Sequence, residues 1–143
     1  MNKGAGSLSC DDAAVSGRRP QDLRVLEGRF VLERTREVAE IAPGVEWLAL
    51  VFGPDGPTTV RRDDTAEDAW VALWNGDTPH DPESTGMLSA IVAPLAAGEV
   101  SVWVASSFDG DLVLVPAARL GEAVGVLRDA GHRVSGAIET GSQ

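Results

Sequence analysis

Two carboxylates in the second half of the chain have the residue type and the spacing to do chemistry. Asp109 and Asp111 stand on either side of Gly110. Carboxylates this close can transfer protons as general acid and base, or they can bind a cation. The same pattern is typical of a solvated β-turn, because aspartate tolerates turn geometry. The residues alone favour the turn, and they leave the chemical roles open.

A helix start supplies a second candidate site. Ser84 or Thr85 can cap a helix whose first residues include Gly86 and Met87. The backbone N–H groups and the positive dipole end at a helix start can hold a carboxylate. Every helix has such an end, so this signal is weak unless the fold brings it close to the aspartates. The helix itself is predicted by apolar residues at i, i+3, i+4 and i+7: Leu88, Ile91, Val92 and Leu95.

The elements that position both candidates follow from hydrophobic periodicity in residues 67–139. Pro94 lies inside the first helix, where we expect a tolerated kink, and Gly98 ends that helix. The second helix follows Pro116, carries one apolar face, and stops at Gly131. A two-residue turn at Asp109-Gly110 joins two strands between the helices. The predicted strands are 69–74, 100–106, 111–115 and 133–138, and the apolar face of the second helix is Leu120, Ala123, Val124 and Leu127.

This order, β-α-β-β-α-β, predicts an α+β fold of the ferredoxin-like type over residues 67–139. Residues 21–66 are rich in β-formers and are predicted to form a shorter, degenerate companion unit. That unit contains a strand from Leu23 with a bend at Gly28, a short helix before Pro43, a buried strand over 45–52, and a hairpin turn at Asp55-Gly56. Residues 1–20 show no sustained period and are predicted to be a disordered tail.

The second half resembles the ACT-domain regulatory proteins of the kind related to the arginine-sensing CASTOR group. In that family a helix that opens with Thr-Gly and contains Pro-Leu-Ala leads to a strand ending in Ser-Thr-aromatic-Asp-Thr-Asp. The first half adds a shorter match, Leu-x-x-Leu-x-Gly-x-Phe, which begins at Leu23. The matching residues of the second half are Thr85, Gly86, Pro94, Leu95 and Ala96, followed by Ser106, Ser107, Phe108, Asp109, Gly110 and Asp111.

The resemblance implies two tandem ACT-like units, the first degenerate, that bind a small molecule such as an amino acid and regulate a separate partner protein. By the same resemblance, residues 85–87 (Thr85, Gly86 and Met87) receive the ligand carboxylate. Ser107 and Phe108 line the pocket, and Asp111 pairs with a positive group of the ligand. Gly110 replaces a family threonine and Leu112 an aromatic residue. These two changes support an alternative function, a ligand-free dimerisation or scaffold module.

Charge and composition exclude some classes of function. A net charge of -10, with 12 basic against 22 acidic residues, argues against nucleic-acid binding. No apolar run approaches the roughly 20 residues that span a membrane. The single Cys10 fits a reducing cytoplasm, where we expect this protein.

The chain also lacks the usual signatures of metal, cofactor and catalytic sites. His80 and His132 have no paired metal-ligand spacing, and no phosphate-binding or nucleophile motif is present. His80 is interpreted as part of a solvated acidic loop and His132 as a structural residue at a helix end. We therefore expect no cofactor and no enzymatic activity. The remaining alternative is a small enzyme that uses Asp109 or Asp111 with His80.

Four tryptophans occur in a chain without tyrosine. Trp70 and Trp74 have even spacing, so both point to one face of their strand. A core between helices and sheet is the favoured interpretation. The alternative is an aromatic surface for self-association. Because exposed sheet edges pair readily between chains, we expect a homodimer.

Overall fold

The computed structural model describes residues 20–35, 46–79, 81 and 85–138. These residues form eight strands and two helices, which confirms the α+β class. The tail at 1–19, the short helix expected before Pro43, Ser84 and His80 lie outside the described residues. The strands are β1 (Asp22–Val25), β2 (Phe30–Arg34), β3 (Trp47–Gly53), β4 (Gly56–Arg62), β5 (Trp70–Trp74), β6 (Trp103–Ser106), β7 (Asp111–Pro116) and β8 (Arg133–Gly136); the helices are α1 (Met87–Ala97) and α2 (Leu120–Asp129).

All eight strands belong to one sheet, and β5 is at its centre. One path through the sheet runs β3-β4-β2-β5-β1-β8. In addition, β7 pairs with β5 along the whole length of β5, and β6 pairs with the other side of β7. β1 runs parallel to β8, while the other pairs are antiparallel. β1 lies between β5 and β8. The first half of the chain therefore completes the sheet of the second half, and its status as a degenerate ACT-like unit stays a prediction.

Strand alternation divides the apolar residues between the two faces of the sheet. Val71 and Leu73 of β5 face the helices, whereas Trp70, Ala72 and Trp74 face the other side. The helix side holds the larger core, to which α1 contributes Ile91 and Leu95. The other side is a smaller core built around Phe30, Val60, Ala72, Leu112 and Leu114, with Trp70, Trp74 and Trp103 packed against it.

Helix α2 has the buried face that the sequence predicts: Leu120, Ala123, Val124 and Leu127 are all buried. Helix α1 contains Pro94 and ends at Gly98, as expected. Its start differs from the expectation. Gly86 is the N-cap, with φ 79°, so the prediction of Ser84 or Thr85 at that position is wrong. A left-handed cap residue favours glycine because a Cβ is strained there.

Both predicted hairpins exist, and in both the turn lies one residue earlier than expected. Gly53 pairs with Gly56 across the β3–β4 turn, which leaves Pro54 and Asp55 as its central residues. In the β6–β7 loop the Ser107 N–H donates to the Gly110 carbonyl at 2.8 Å, so Phe108 and Asp109 are central. Glycine thus closes each hairpin instead of forming its tip.

The prediction that residues 45–52 form a buried strand is wrong with respect to burial. β3 pairs only with β4 among the described residues, at one end of the sheet. Its side chains Leu50, Val51 and Phe52 are 43%, 42% and 64% exposed. An uninterrupted apolar run is typical of a strand covered on both sides, yet this one occupies an edge.

Candidate functional site

The sequence-predicted site residues lie at the end of the sheet where β5 ends and both α1 and β7 begin. Met87 is the first residue of α1, and Asp111 is the first residue of β7. Ser107 and Phe108 are in the β6–β7 loop. The Ser107 hydroxyl donates to the Gly110 carbonyl at 3.1 Å, and Phe108 is 82% exposed.

Two buried side chains that the sequence analysis did not single out join these elements. Asn75 directly follows β5 and is 3% exposed. Its Nδ2 donates to Gln21 Oε1 at 2.8 Å, and Gln21 Nε2 donates to the Met87 carbonyl at 2.8 Å. On its other side, Asn75 Oδ1 accepts the Asp111 N–H at 2.7 Å. Gln21 and Asn75 therefore form a polar bridge from the start of α1 to the start of β7.

The carboxylate of Asp111 is held in a defined orientation. The Ser106 hydroxyl donates to Oδ1 at 2.6 Å, and Asn75 Nδ2 lies 3.3 Å from Oδ2. An ionised carboxylate has about four acceptor positions, so these contacts leave capacity for another donor. Asp111 is half-buried. It can present a negative charge to a ligand without first being ordered by that ligand.

Two glycines allow the β6–β7 loop to approach the segment that carries Asn75. A Cβ on Gly110 would lie 2.6 Å from the Cα of Gly76 and 3.0 Å from Asn75 Oδ1. A Cβ on Gly76 would lie 2.8 Å from the Asp109 carbonyl oxygen. Gly110 is therefore required for a close backbone approach, which explains why a side chain is absent there.

His132 holds the backbone of Gln21, one of the two residues that form the polar bridge. Its Nδ1 accepts the Gln21 backbone N–H at 3.0 Å, so the ring proton is on Nε2, which donates to the Ala90 carbonyl at 2.8 Å. The imidazole is 5% exposed. These bonds support the structural interpretation of His132. They use the lone pair of Nδ1 as the acceptor and the proton on Nε2 as the donor.

A cavity of about 150 Å³ opens beside the polar bridge. Gln21, Asn75 and Met87 line it, together with the ion pair between Arg133 and Asp22 at 2.5 Å. The Arg133 hydrogen bond holds the pKa of Asp22 below its ordinary value. Asp111, Ser107 and Phe108 do not line this cavity. Asp111 lies one hydrogen bond behind it, on the far side of Asn75.

Within the described residues, no group of three or more His, Cys, Asp or Glu side chains could hold a metal ion. Because His80 is not among them, its pairing with Asp109 or Asp111 is untested. None of the described helices has the length and apolar character needed to cross a membrane.

Comparison with known proteins supports an ACT-type domain. Residues 65–129 match the family model of the ACT domain. This finding agrees with the expectation of an ACT domain. The closer relation to the CASTOR group stays a prediction. No functionally curated protein matches the chain significantly.

Two solved structures share the fold. Protein Atu0741 from Agobacterium tumefaciens is 23% identical, with a TM-score of 0.69 over 83% of this chain and 95% of that protein. VC0802 from Vibrio cholerae is described as a protein of unknown function and a possible transport protein. It is 15% identical, with a TM-score of 0.67 over 85% of this chain and 95% of that one.

Proposed function

We propose that this protein is a regulatory module that binds an α-amino acid and conveys its occupancy to a separate partner protein. The match of residues 65–129 to the ACT domain supports a ligand-binding role, since ACT domains commonly bind small ligands. The observation that carries the proposal is the bridge through Gln21 and Asn75. These two side chains line a cavity of about 150 Å³ and link the start of α1 to Asp111.

In this proposal the two ends of the bridge bind the two charged groups of the amino acid. Residues 85–87 receive the carboxylate, because a helix start favours negative charge. Asp111 pairs with the ammonium group through the acceptor capacity that Ser106 and Asn75 leave unused. Ser107 and the exposed ring of Phe108 border the ligand on the solvent side.

Regulation follows from differential affinity. A ligand that contacts both α1 and β7 stabilises the arrangement in which these elements are close, and it shifts the population toward that arrangement. A partner that binds only this arrangement then senses the ligand. Tandem ACT-like units, kinship with the CASTOR group and a cytoplasmic location belong to the same proposal.

Substitution of Asp111→Asn tests the ligand site. At ~100 times its dissociation constant, a matching amino acid should stabilise the wild-type protein by about 2.7 kcal/mol and raise its melting midpoint by roughly 5–10 °C. The variant keeps a side chain of the same shape but loses the charge, so the selective shift should disappear. A thermal-shift screen against the amino acids measures the ligand-induced shift of the wild type and its loss in the variant.

Asp109→Asn is the matched control, because it removes the same charge from the exposed tip of the same hairpin. It should keep the ligand-induced shift. If no amino acid shifts the wild-type protein, or if Asp111→Asn responds as the wild type does, the amino-acid site is wrong. Either result would favour the ligand-free module.

A second candidate function, dimerisation, is supported by β3. Trp47–Gly53 contains no charged residue, and it lies at an edge of the sheet with Leu50, Val51 and Phe52 exposed. Edge strands of monomers usually carry charges or proline that prevent pairing. We infer that β3 pairs with β3 of a second copy, which would give a symmetric homodimer.

Substitution of Phe52→Asp should weaken this dimer at least tenfold, because it places a negative charge on each side of the symmetric contact. Sedimentation equilibrium measures the dissociation constant. Phe108→Asp is the control, since it also replaces an exposed phenylalanine but lies outside β3. A wild-type protein that is monomeric at its highest soluble concentration would overturn the inference, as would equal effects of the two substitutions.

A further inference from the structure

A larger groove, of about 400 Å³, lies at the opposite end of β5 from Asn75. Its volume is within the range of pockets that bind small molecules. The turn between β1 and β2 forms one wall and the segment leading into α2 forms another. The apolar part of its surface consists of Leu26, Val71, Ala117, Leu120 and Ala137.

The charged part of the groove contains one pair that is already neutralised. Arg62 Nη2 lies 3.1 Å from Asp64 Oδ2, and Arg62 Nη1 lies 3.5 Å from Glu46 Oε1. The Arg62 hydrogen bond keeps the pKa of Asp64 below its ordinary value. Arg62 and Asp64 therefore form a wall with little net charge to offer a ligand.

Arg29 supplies a positive charge that makes no ion pair with a described carboxylate. Its charge acts on Asp64 only at longer range, where it adds to the Arg62 hydrogen bond in lowering the pKa of that carboxylate. Arg29 Nη2 donates to the backbone carbonyls of Ala66 and Glu67, at 3.0 and 3.5 Å. Those bonds fix the guanidinium group and leave the N–H donors on Nε and Nη1 uncommitted among the described residues. A guanidinium held in this way is suited to a carboxylate, which it can bind through two parallel hydrogen bonds.

Glu27 supplies the opposite charge in the same groove. Within the described part of the chain its carboxylate has no hydrogen bond or ion pair. The Asp64 hydrogen bond is the main cause of the raised pKa of Arg62, and the Glu27 charge adds to it at longer range. Gly28 separates Glu27 from Arg29 and has φ +107°. Any Cβ at that position would lie 2.5 Å from Arg62 Nε. The bend at Gly28 thus puts an anion and a cation on the rim of one groove with an apolar floor.

We propose that this groove binds a second ligand, a zwitterion with an apolar body. Arg29 binds its carboxylate and Glu27 binds its ammonium group, while Leu26, Val71 and Leu120 contact the apolar body. The groove shares no lining residue with the cavity near Asn75. The two sites are therefore separable, and this proposal does not depend on the function proposed above.

Leucine is a suitable probe, with two analogues that each lack one charge, 4-methylpentanoate and isoamylamine. In titrations followed by ¹H–¹⁵N spectra, leucine should cause saturable shifts at the amides of residues 26–29 and 117–120. Each analogue should bind at least tenfold more weakly, since it leaves one charged group of the groove unpaired. Glu27→Gln should remove the preference for leucine over 4-methylpentanoate.

Asp55→Asn is the charge-matched control, because Asp55 is exposed in the β3–β4 turn, and it should bind leucine as the wild type does. Arg29→Lys keeps the positive charge without the planar fork and should weaken leucine and 4-methylpentanoate together. The proposal is wrong if the groove amides show no saturable shift, or if Glu27→Gln retains the preference. Shifts confined to Asn75, Met87 and Asp111 would also overturn it, while supporting the other site.

Discussion

Gly110→Ala is expected to destabilise the protein by about 2–3 kcal/mol and to impair the amino-acid site. The added methyl group would lie 2.6 Å from the Cα of Gly76 and 2.9 Å from its nitrogen. Both neighbours are backbone atoms, so a side-chain rotation cannot relieve the contact. The segment after β5 must move away, and the hydrogen bond from the Asp111 N–H to Asn75 Oδ1 must lengthen or break.

Urea denaturation measures this loss as a lower midpoint, with a slope close to that of the wild type. Gly125→Ala is the matched control. Gly125 lies within α2, and a Cβ there would have no neighbour within 4 Å. Because alanine is a better helix former than glycine, this variant should gain about 0.5–1 kcal/mol. If Gly110→Ala is as stable as the wild type, the close contact between the β6–β7 loop and the segment after β5 is wrong.

Asn75→Asp is the second substitution with a large expected effect, a loss of about 3 kcal/mol at pH 7. The new oxygen replaces the Nδ2 donor that binds Gln21 Oε1 and approaches Asp111 Oδ2. Two carboxylates would then lie side by side, one at the buried position 75 and the other on the half-buried Asp111. The shape of the residue is unchanged, so the effect reports on hydrogen bonding and charge.

The direction in which the stability deficit changes with pH distinguishes this variant from one that only removes the side chain and its hydrogen bonds. Like charges raise the pKa of the carboxylate pair in the folded state above the unfolded value. The stability deficit relative to the wild type should therefore be largest at neutral pH and should shrink as the pH falls toward about 4. At low pH a shared proton can also restore one hydrogen bond.

Chemical denaturation at a series of pH values, with wild type and variant compared at each pH, measures this difference. Asn75→Ala serves as the control. It removes the same hydrogen bonds without adding a charge, so its deficit should change little with pH. A deficit of Asn75→Asp that is equally insensitive to pH would show that Asp111 and residue 75 do not interact as described.

Local pattern in the sequence predicted the type of most described elements. The buried face of α2 follows from apolar residues at helical spacing, and both hairpins follow from Asp-Gly pairs between β-rich runs. Met87 and Asp111 became candidate site residues because a helix start and a pair of aspartates are local signals, and the family resemblance implied their roles. Each of these features depends on residues within a few positions of one another, where periodicity and turn preferences act directly.

The tertiary structure decided which distant segments meet. Gln21 lies 54 residues before Asn75 and 111 before His132, yet it is bonded to both. β1 lies between β5 and β8, and it is this insertion that brings Gln21 to the start of α1. No periodicity encodes such a meeting, because it depends on the pairing of strands far apart in sequence and on the burial of their shared faces.

The types of the residues predicted local structure, but what surrounds each residue depended on the whole fold. The apolar run of β3 predicted a strand, but its position at the sheet edge left Leu50, Val51 and Phe52 exposed. The Asp-Gly pair predicted a turn at Gly110, but the nearby Gly76 backbone explains why glycine is needed there. The chain by itself determined which elements form. Only packing determined what covers each element and which polar groups meet, because a buried hydrogen bond needs both partners brought together by the whole fold.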